Sequence, residues 1–410
     1  MTPEKTQPSI QNLPRNVWAL GLTSFFTDIS SEMVFNLLPL FLYNVLGVRT
    51  SLIGLIEGIA ETTASLLKIF SGYISDRLGK RKWLTATGYT LSAVTKPLLY
   101  FASTWGWVLG VRFTDRVGKG IRTAPRDALI ADSIDDRTRG LAFGVHRAAD
   151  TAGAMLGLII AAGVVWAVQA GVQTLEKSTF QTVVLVSILP GVLGVLSVAL
   201  GARDSDGGPR PAQVPKLSLK GFDVRFKAFL LIVVLFTLGN SSDAFLILRA
   251  QERGLTVLQV MGMLITFNLI YAVIATPAGA LSDRIGRRTL VLGGWLVYGL
   301  IYLGFALSRT GGQVWVLYAL YGVYYGMVEG TAKAFVADLV PKEQRGTAYG
   351  VYNAAVGLTA FPASFMAGLL WQGAGRWAGF GAAAPFYFGA GMALFAVGLF
   401  GFWLPRLARN

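Results

Sequence analysis

Asp28 and Glu32 stand one helical turn apart in an otherwise apolar stretch, and Asn36 continues the same face. Two carboxylates that close resist ionising together, so one of them can hold a proton and release it on demand. A second apolar stretch carries Glu57, Glu61 and Lys68, again on one face. A third carries Arg112, Arg116, Lys119, Arg122 and Arg126 at intervals of three or four, with Asp115 beside Arg116, which a helix turns into a single basic stripe. His146 is the sole histidine, with Asp150 at i,i+4, a pairing suited to relaying a proton near neutral pH. Further along lie Asn240, Asp243, Tyr325 and Glu329. This inventory suits proton exchange and the holding of an ionic or polar solute. It does not suit covalent catalysis: there is no cysteine, and no nucleophile–base pair or ligand cluster for a metal, so no catalytic residue, cofactor or metal is expected.

The helices that must hold these charges are those of a membrane protein. Hydrophobic residues make up 53% of the chain and charged residues 14%, with a mean hydropathy of +0.55. Stretches that meet the ~20-residue spanning length recur at roughly 17–46, 51–75, 83–102, 105–125, 141–168 and 179–202, then at 227–250, 256–281, 289–308, 313–337, 347–372 and 383–405. Twelve spans are therefore predicted. Residues 1–16 are polar, contain Pro3, Pro8 and Pro14, and lack the pattern of a signal peptide. Placing them in the cytoplasm puts Arg77, Lys80, Arg81, Lys82, Arg137, Arg139, Arg284, Arg287, Arg288, Lys342 and Arg345 in cytoplasmic loops, as the positive-inside rule requires, and leaves both termini cytoplasmic. The net charge of +14 is thus dispersed over short loops, which excludes nucleic-acid binding as a reading.

The chain also repeats itself. Gly72, Asp76, Arg77 and Gly79 recur as Gly279, Asp283, Arg284 and Gly286, 207 positions on, and the offset becomes 206 for Asp132 against Asp338. Two halves follow: a six-helix bundle over residues 1–202, a Gly-, Pro- and Lys-rich cytoplasmic linker over 203–226, and a second six-helix bundle over 227–410. Under these offsets Tyr318 matches Arg112 and Tyr325 matches Lys119, so the first half is specialised for ions and the second offers an aromatic wall. The fold expected is an all-α membrane protein of twelve transmembrane helices in two pseudo-symmetric bundles.

The loop Gly72-x-x-x-Asp76-Arg77-x-Gly79-Lys80-Arg81, complete again from Gly279 to Arg288, resembles the signature of the major facilitator superfamily of secondary transporters, and the resemblance covers nearly the whole chain. It implies that Gly72, Asp76, Arg77, Gly79, Arg81, Asp283, Arg284, Gly286 and Arg287 form a latch that engages when the cytoplasmic side closes. The stretch from Arg112 to Gly120 is similar to the family's fourth-helix pattern, which implies a role in proton coupling for Arg112. It departs at Arg116, where the family usually has glycine, and the fifth helix has Gly153 and Gly157 without the proline common among the family's proton antiporters. The resemblance and the stripes together lead to a monomeric secondary transporter in the bacterial inner membrane, in contact with lipid, that exports a small solute by proton-coupled alternating access. Uptake of an organic anion or metal chelate, or passive facilitation, is the alternative. The cavity is expected to use Asp28, Glu32, Asn36, Arg112, Asp115, Arg116, Lys119, His146, Asp150, Asn240, Asp243, Tyr325 and Glu329.

Overall fold

The computed structural model describes residues 10–135, 138–204 and 218–404. Pro3, Pro8, Arg137, most of the linker and Asn410 lie outside the described residues. Twelve long helices account for the rest: α1 (Arg15–Val45), α2 (Thr50–Leu78), α3 (Arg81–Thr95, continued by a 3-10 segment Lys96–Phe101), α4 (Trp105–Asp132), α5 (Arg139–Gln169), α6 (Lys177–Gly201), α7 (Val224–Glu252), α8 (Val257–Ile285), α9 (Arg287–Leu307), α10 (Gly311–Asp338), α11 (Arg345–Gln372) and α12 (Ala384–Trp403). Eight of them are long and apolar enough to cross a membrane on those grounds alone. The four that fall short are α2, α4 and α10, which carry charges or tyrosines inward, and the short α3.

Packing follows the duplication. In the first half α1 lies on α5 and α6, and α4 on α2 and α3; in the second α7 lies on α11 and α12, and α10 on α8 and α9. The halves meet along two seams related by the same symmetry, α2 against α11 and α5 against α8. Helix ends alternate between a signature end, with the loops after α2 and α8, and the end opposite.

At the opposite end the α2–α11 seam is backbone against backbone. A Cβ at Gly58 would come within 2.9 Å of Phe361 Cα, and one at Gly54 would overlap the Ser364 carbonyl. Thr50 Oγ1 donates to Gly368 O at 3.0 Å and Thr62 Oγ1 to Gly357 O at 2.6 Å, so the glycines that allow the approach also supply its acceptors. The turns before α6 and α8 add Val257 N–H to Val172 O at 3.4 Å and Gln251 Nε2 to Gln173 O at 2.7 Å.

Each signature loop is tied to its own half. The first copy ends α2 on Gly79 in the left-handed region, φ 63°, whose N–H bonds Ser75 O. Arg81 then donates to Asp76 at 2.7 Å, to Ala128 O at 3.2 Å and to Asp132, joining α2, α3 and α4. The second copy repeats this with Arg287, which reaches Ala334 O at 3.2 Å, Asp338 at 2.6 Å and Asp283 at 3.8 Å. The structural partner of Arg81 is Arg287 rather than Arg288, because the second copy has one residue fewer between the glycine and the arginine. That is where the repeat offset drops from 207 to 206.

Candidate functional site

The first helix of each half is broken at equivalent heights. α1 loses its regular turn at Asn36 and Leu37, two residues before Pro39, whose missing N–H and ring cannot continue the ladder. In α7 the run Asn240-Ser241-Ser242-Asp243 is non-helical, and the freed Ser242 N–H is taken by Ser364 Oγ of α11 at 3.1 Å. Asn36 and Asp243 are matched by the repeat, so both breaks turn polar groups toward one place.

That place is a central cavity of about 460 Å³ between the halves. α1 contributes Asp28, Glu32, Phe35 and Asn36; α2 contributes Glu57 and Glu61; α4 contributes Arg112, Arg116, Lys119 and Arg122. From the second half come Asn240, Asp243 and Tyr325, with Ser364 of α11. Of the residues expected from sequence, Asp115 is buried behind the wall, and His146, Asp150 and Glu329 lie outside it.

Most bases on the wall are already engaged. Arg112 bonds Glu57 at 2.9 Å, with Glu61 4.0 Å away, and its guanidinium is covered by the Phe35 ring at 4.3 Å. Arg116 pairs with Asp115 at 2.8 Å and Glu61 at 3.5 Å. Arg122 donates to Ser92 Oγ at 2.6 Å and stacks over Tyr89. The acids of α1 and α7 are less occupied: among the described residues Glu32 accepts from Asn36 Nδ2 at 2.7 Å, and Asp243 from the Tyr321 hydroxyl at 3.1 Å. Asp28 and Lys119 have no ion pair or side-chain hydrogen bond among the described residues. Arg112 is therefore set against α2 and not against the Asp28–Glu32 pair.

His146 belongs to a separate buried network inside the first half. Its Nε2 lies 3.0 Å from Ser24 Oγ and its Nδ1 3.8 Å from Asp150, while Ser24 also meets the Tyr89 hydroxyl at 2.9 Å and Arg126 at 3.1 Å. The serine–histidine–aspartate order is that of a hydrolase, but Ser24 is buried and accepts from an arginine, so no substrate carbonyl can approach it. Glu329 sits toward the signature end, held by Tyr271 at 2.6 Å, Arg147 at 3.5 Å and Lys333 at 4.0 Å; the Arg147 contacts cross the α5–α8 seam. There a second cavity of about 490 Å³ opens between the halves, lined by Gly279, Asp283 and Arg287 and sharing Tyr325 with the first.

At Gly279 an added Cβ would meet nothing, and at Gly72 only the Ala124 methyl at 3.5 Å, so neither glycine is demanded by close packing in this state. Arg77 reaches the Tyr73 hydroxyl at 3.4 Å, and both Arg77 and Arg284 are exposed. Phe35 carries no signal of its own in the sequence, and the acids of α2 and bases of α4 are natural partners by sign, but their spacing does not say that Glu57 meets Arg112 and that Glu61 lies between Arg112 and Arg116.

Twelve helices in two symmetry-related bundles around a polar, charge-lined cavity define a multi-pass membrane carrier. The Major Facilitator Superfamily family model matches residues 20–248 and 228–410, and the chain belongs to that family. It is 36% identical over 375 residues to an uncharacterized MFS-type transporter of Methanocaldococcus jannaschii, covering 90% of this chain and 92% of that one. Over 138 residues, 33% of this chain and 32% of the relative, it is 34% identical to multidrug resistance protein 2 of Bacillus subtilis. In fold it resembles a bacterial homolog of the human lysosomal transporter Spinster, with a TM-score of 0.75 at 17% identity over 95% of this chain and 96% of that one. The protein is thus an integral membrane transporter and not an enzyme.

Proposed function

We propose that this protein is a proton-coupled antiporter that exports a small organic solute by alternating access, and that the state described here is open toward the cytoplasm. The observation that carries the reading is the free carboxylate of Asp28 on the cavity wall, one turn from Glu32, where the neighbouring arginines already have partners. A carboxylate costs roughly 2.5–3.5 kcal/mol or more to place in a membrane span, and one without a counter-charge lowers that cost by taking a proton or a ligand cation. A proton taken up there from one side and given up to the other drives the solute the opposite way. The basic signature loops favour the cytoplasmic side for their end by the positive-inside rule. The relative named for multidrug resistance favours export. Gly72 and Gly279, unencumbered here, leave room for the signature ends to approach when the opposite seam parts.

One feature favours uptake of an organic anion or an anionic metal chelate instead. Arg112 keeps Nε and Nη1 without hydrogen-bond partners beneath Phe35, and Lys119 faces the cavity unpaired. Purified protein in proteoliposomes, given a pH step and a panel of radiolabelled organic cations and anions, separates the readings by which class accumulates. A passive facilitator would equilibrate solute without accumulating it. Asp28→Asn and Glu32→Gln are expected to abolish pH-driven accumulation yet keep exchange between equal solute pools. Full accumulation in both variants would make the acidic pair structural.

A further inference from the structure

We infer that the second half holds a subsite for an uncharged aromatic ring, so that the transported molecule is an amphiphile with its ionised group in the central cavity and its ring beside α10. A side cavity of about 280 Å³ lies among α7, α9, α10 and α11 and shares Thr237, Asn240, Tyr325 and Val356 with the central one. One ligand can therefore occupy both. A dry cavity of about 150 Å³ is enough for benzene, so one or two fused rings fit.

The walls are made of ring faces and edges. Phe236 and Trp295 stack at 4.5 Å with their planes 11° apart, and Tyr324 and Tyr325 stand edge-to-face at 5.4 Å; Tyr352 completes the enclosure. Such surfaces favour an offset or edge-on aromatic guest. They would also attract a cation, but the one carboxylate on the pocket, Glu329, is already held by Tyr271, Arg147 and Lys333. The pocket's base, Lys333, lies 4.0 Å from that carboxylate, so the two charges of the lining answer each other, and an incoming ion of either sign would lose its water for ring faces and an already paired counter-charge. A neutral ring avoids that cost. Two amides offer it polar contacts: Asn353 has no side-chain partner among the described residues, and Asn240 uses only Oδ1, which accepts from the Tyr298 hydroxyl at 3.3 Å. A ring that bears an N–H or a carbonyl is therefore preferred to a plain hydrocarbon.

The inference rests on the proposed transport reading only in taking the central cavity as the solute site. It is tested at equilibrium with the full chain in nanodiscs, by ligand-observed fluorine NMR against empty discs. 5-Fluoroindole-3-acetate and 5-fluorotryptamine carry one ring with opposite charges; fluoroacetate and 2-fluoroethylamine carry the charges without the ring. At least one ring-bearing probe is expected to bind about tenfold or more tighter than its ring-free counterpart, the gain from burying one ring. Ala332→Trp, which fills the pocket, and Asn353→Leu, which removes its free amide, should each diminish that preference and leave the ring-free probe unchanged, which also shows that the variant is folded. Equal binding with and without the ring, or an undiminished preference in both variants, overturns the subsite. So does tighter binding of 3-fluoro-N-methylpyridinium, lost in Ala332→Trp, which would make the pocket a cation cage. No proton gradient enters this measurement, so loss of the coupling reading leaves the ring result standing, and the reverse.

Discussion

Gly54→Ala should act as a wedge. In the state described here α2 and α11 touch through their backbones, and the added methyl would overlap the Ser364 carbonyl, a group that cannot swing aside as a flexible side chain can. Overpacking of this kind costs about 1–3 kcal/mol. The cost falls on this state alone, since parting the seam at the opposite end removes the overlap, and a differential penalty moves the equilibrium by its own amount. At about 1.4 kcal/mol per tenfold, the ratio of the two states should shift by roughly 5- to 150-fold toward the one open at the opposite end. Adding Gly58→Ala, one turn along and facing Phe361, should contribute less than a second full penalty, because one separation of the helices relieves both. The chain has no cysteine, so spin labels on Ser103→Cys and Arg309→Cys, exposed and symmetry-related at the opposite end, report the separation of the halves without background. A longer distance population should grow in Gly54→Ala and stay unchanged in Gly163→Ala, where a Cβ meets nothing. An unaltered distribution in Gly54→Ala, with the protein folded, would mean that this seam is not what opens.

Three further outcomes are expected. Arg249 is fully buried in the second part of α7 and donates to Phe305 O, Ala306 O and Ser308 O at the end of α9, so Arg249→Met should lower the unfolding free energy by about 3–5 kcal/mol, read by denaturant titration in micelles. Arg81→Gln should destabilise more than Arg287→Gln, since the side chains are 7% and 34% exposed, and Asp76→Asn should cost less than ~1 kcal/mol because Asp76 is partly solvated; thermal melts of the three variants check the order. On intact cells a membrane-impermeant maleimide should label Ser103→Cys from outside and leave Arg77→Cys unlabelled until the membrane is broken, and the reverse pattern would invert the topology.

The duplication and the twelve helices were legible because glycines, prolines and charges mark helix ends independently of tertiary contacts. Even the one-residue shift in the repeat was visible, and the structure ties it to Arg81 and Arg287 making the same carbonyl and carboxylate bonds. The break in α7 also had a signal, four polar residues inside an apolar span. Which acid meets which base did not. Arg112 sits over Glu57 and under Phe35 because α2 and α4 cross at that height, and helix tilt and rotation do not follow from spacing along one helix. Tyr318, matched to Arg112 by the repeat, is buried among Phe267 and Tyr321 rather than on the cavity wall.

What the halves share and what they do not divides along the line between motion and chemistry. The paired seams, the helix breaks at Asn36 and Asp243, and the arginine ties at both signature loops occur twice, which suits the proposed rocking of one half against the other. The ion pairs of α4 and the Ser24–His146 network occur once, and where the first half has Arg112 and Lys119 the second has Tyr318 and Tyr325. The proposed coupling of proton and solute gives a reason for this: a proton site needs an acid left without a counter-charge while the bases around it are held by other partners, whereas a solute site needs area and a few adaptable polar groups. Placing the ionic network in one bundle and the ring-lined pocket in the other makes their relative position depend on the angle between bundles. In the proposed antiporter, occupancy of each site then biases the same rocking equilibrium, which is the thermodynamic requirement for coupling them.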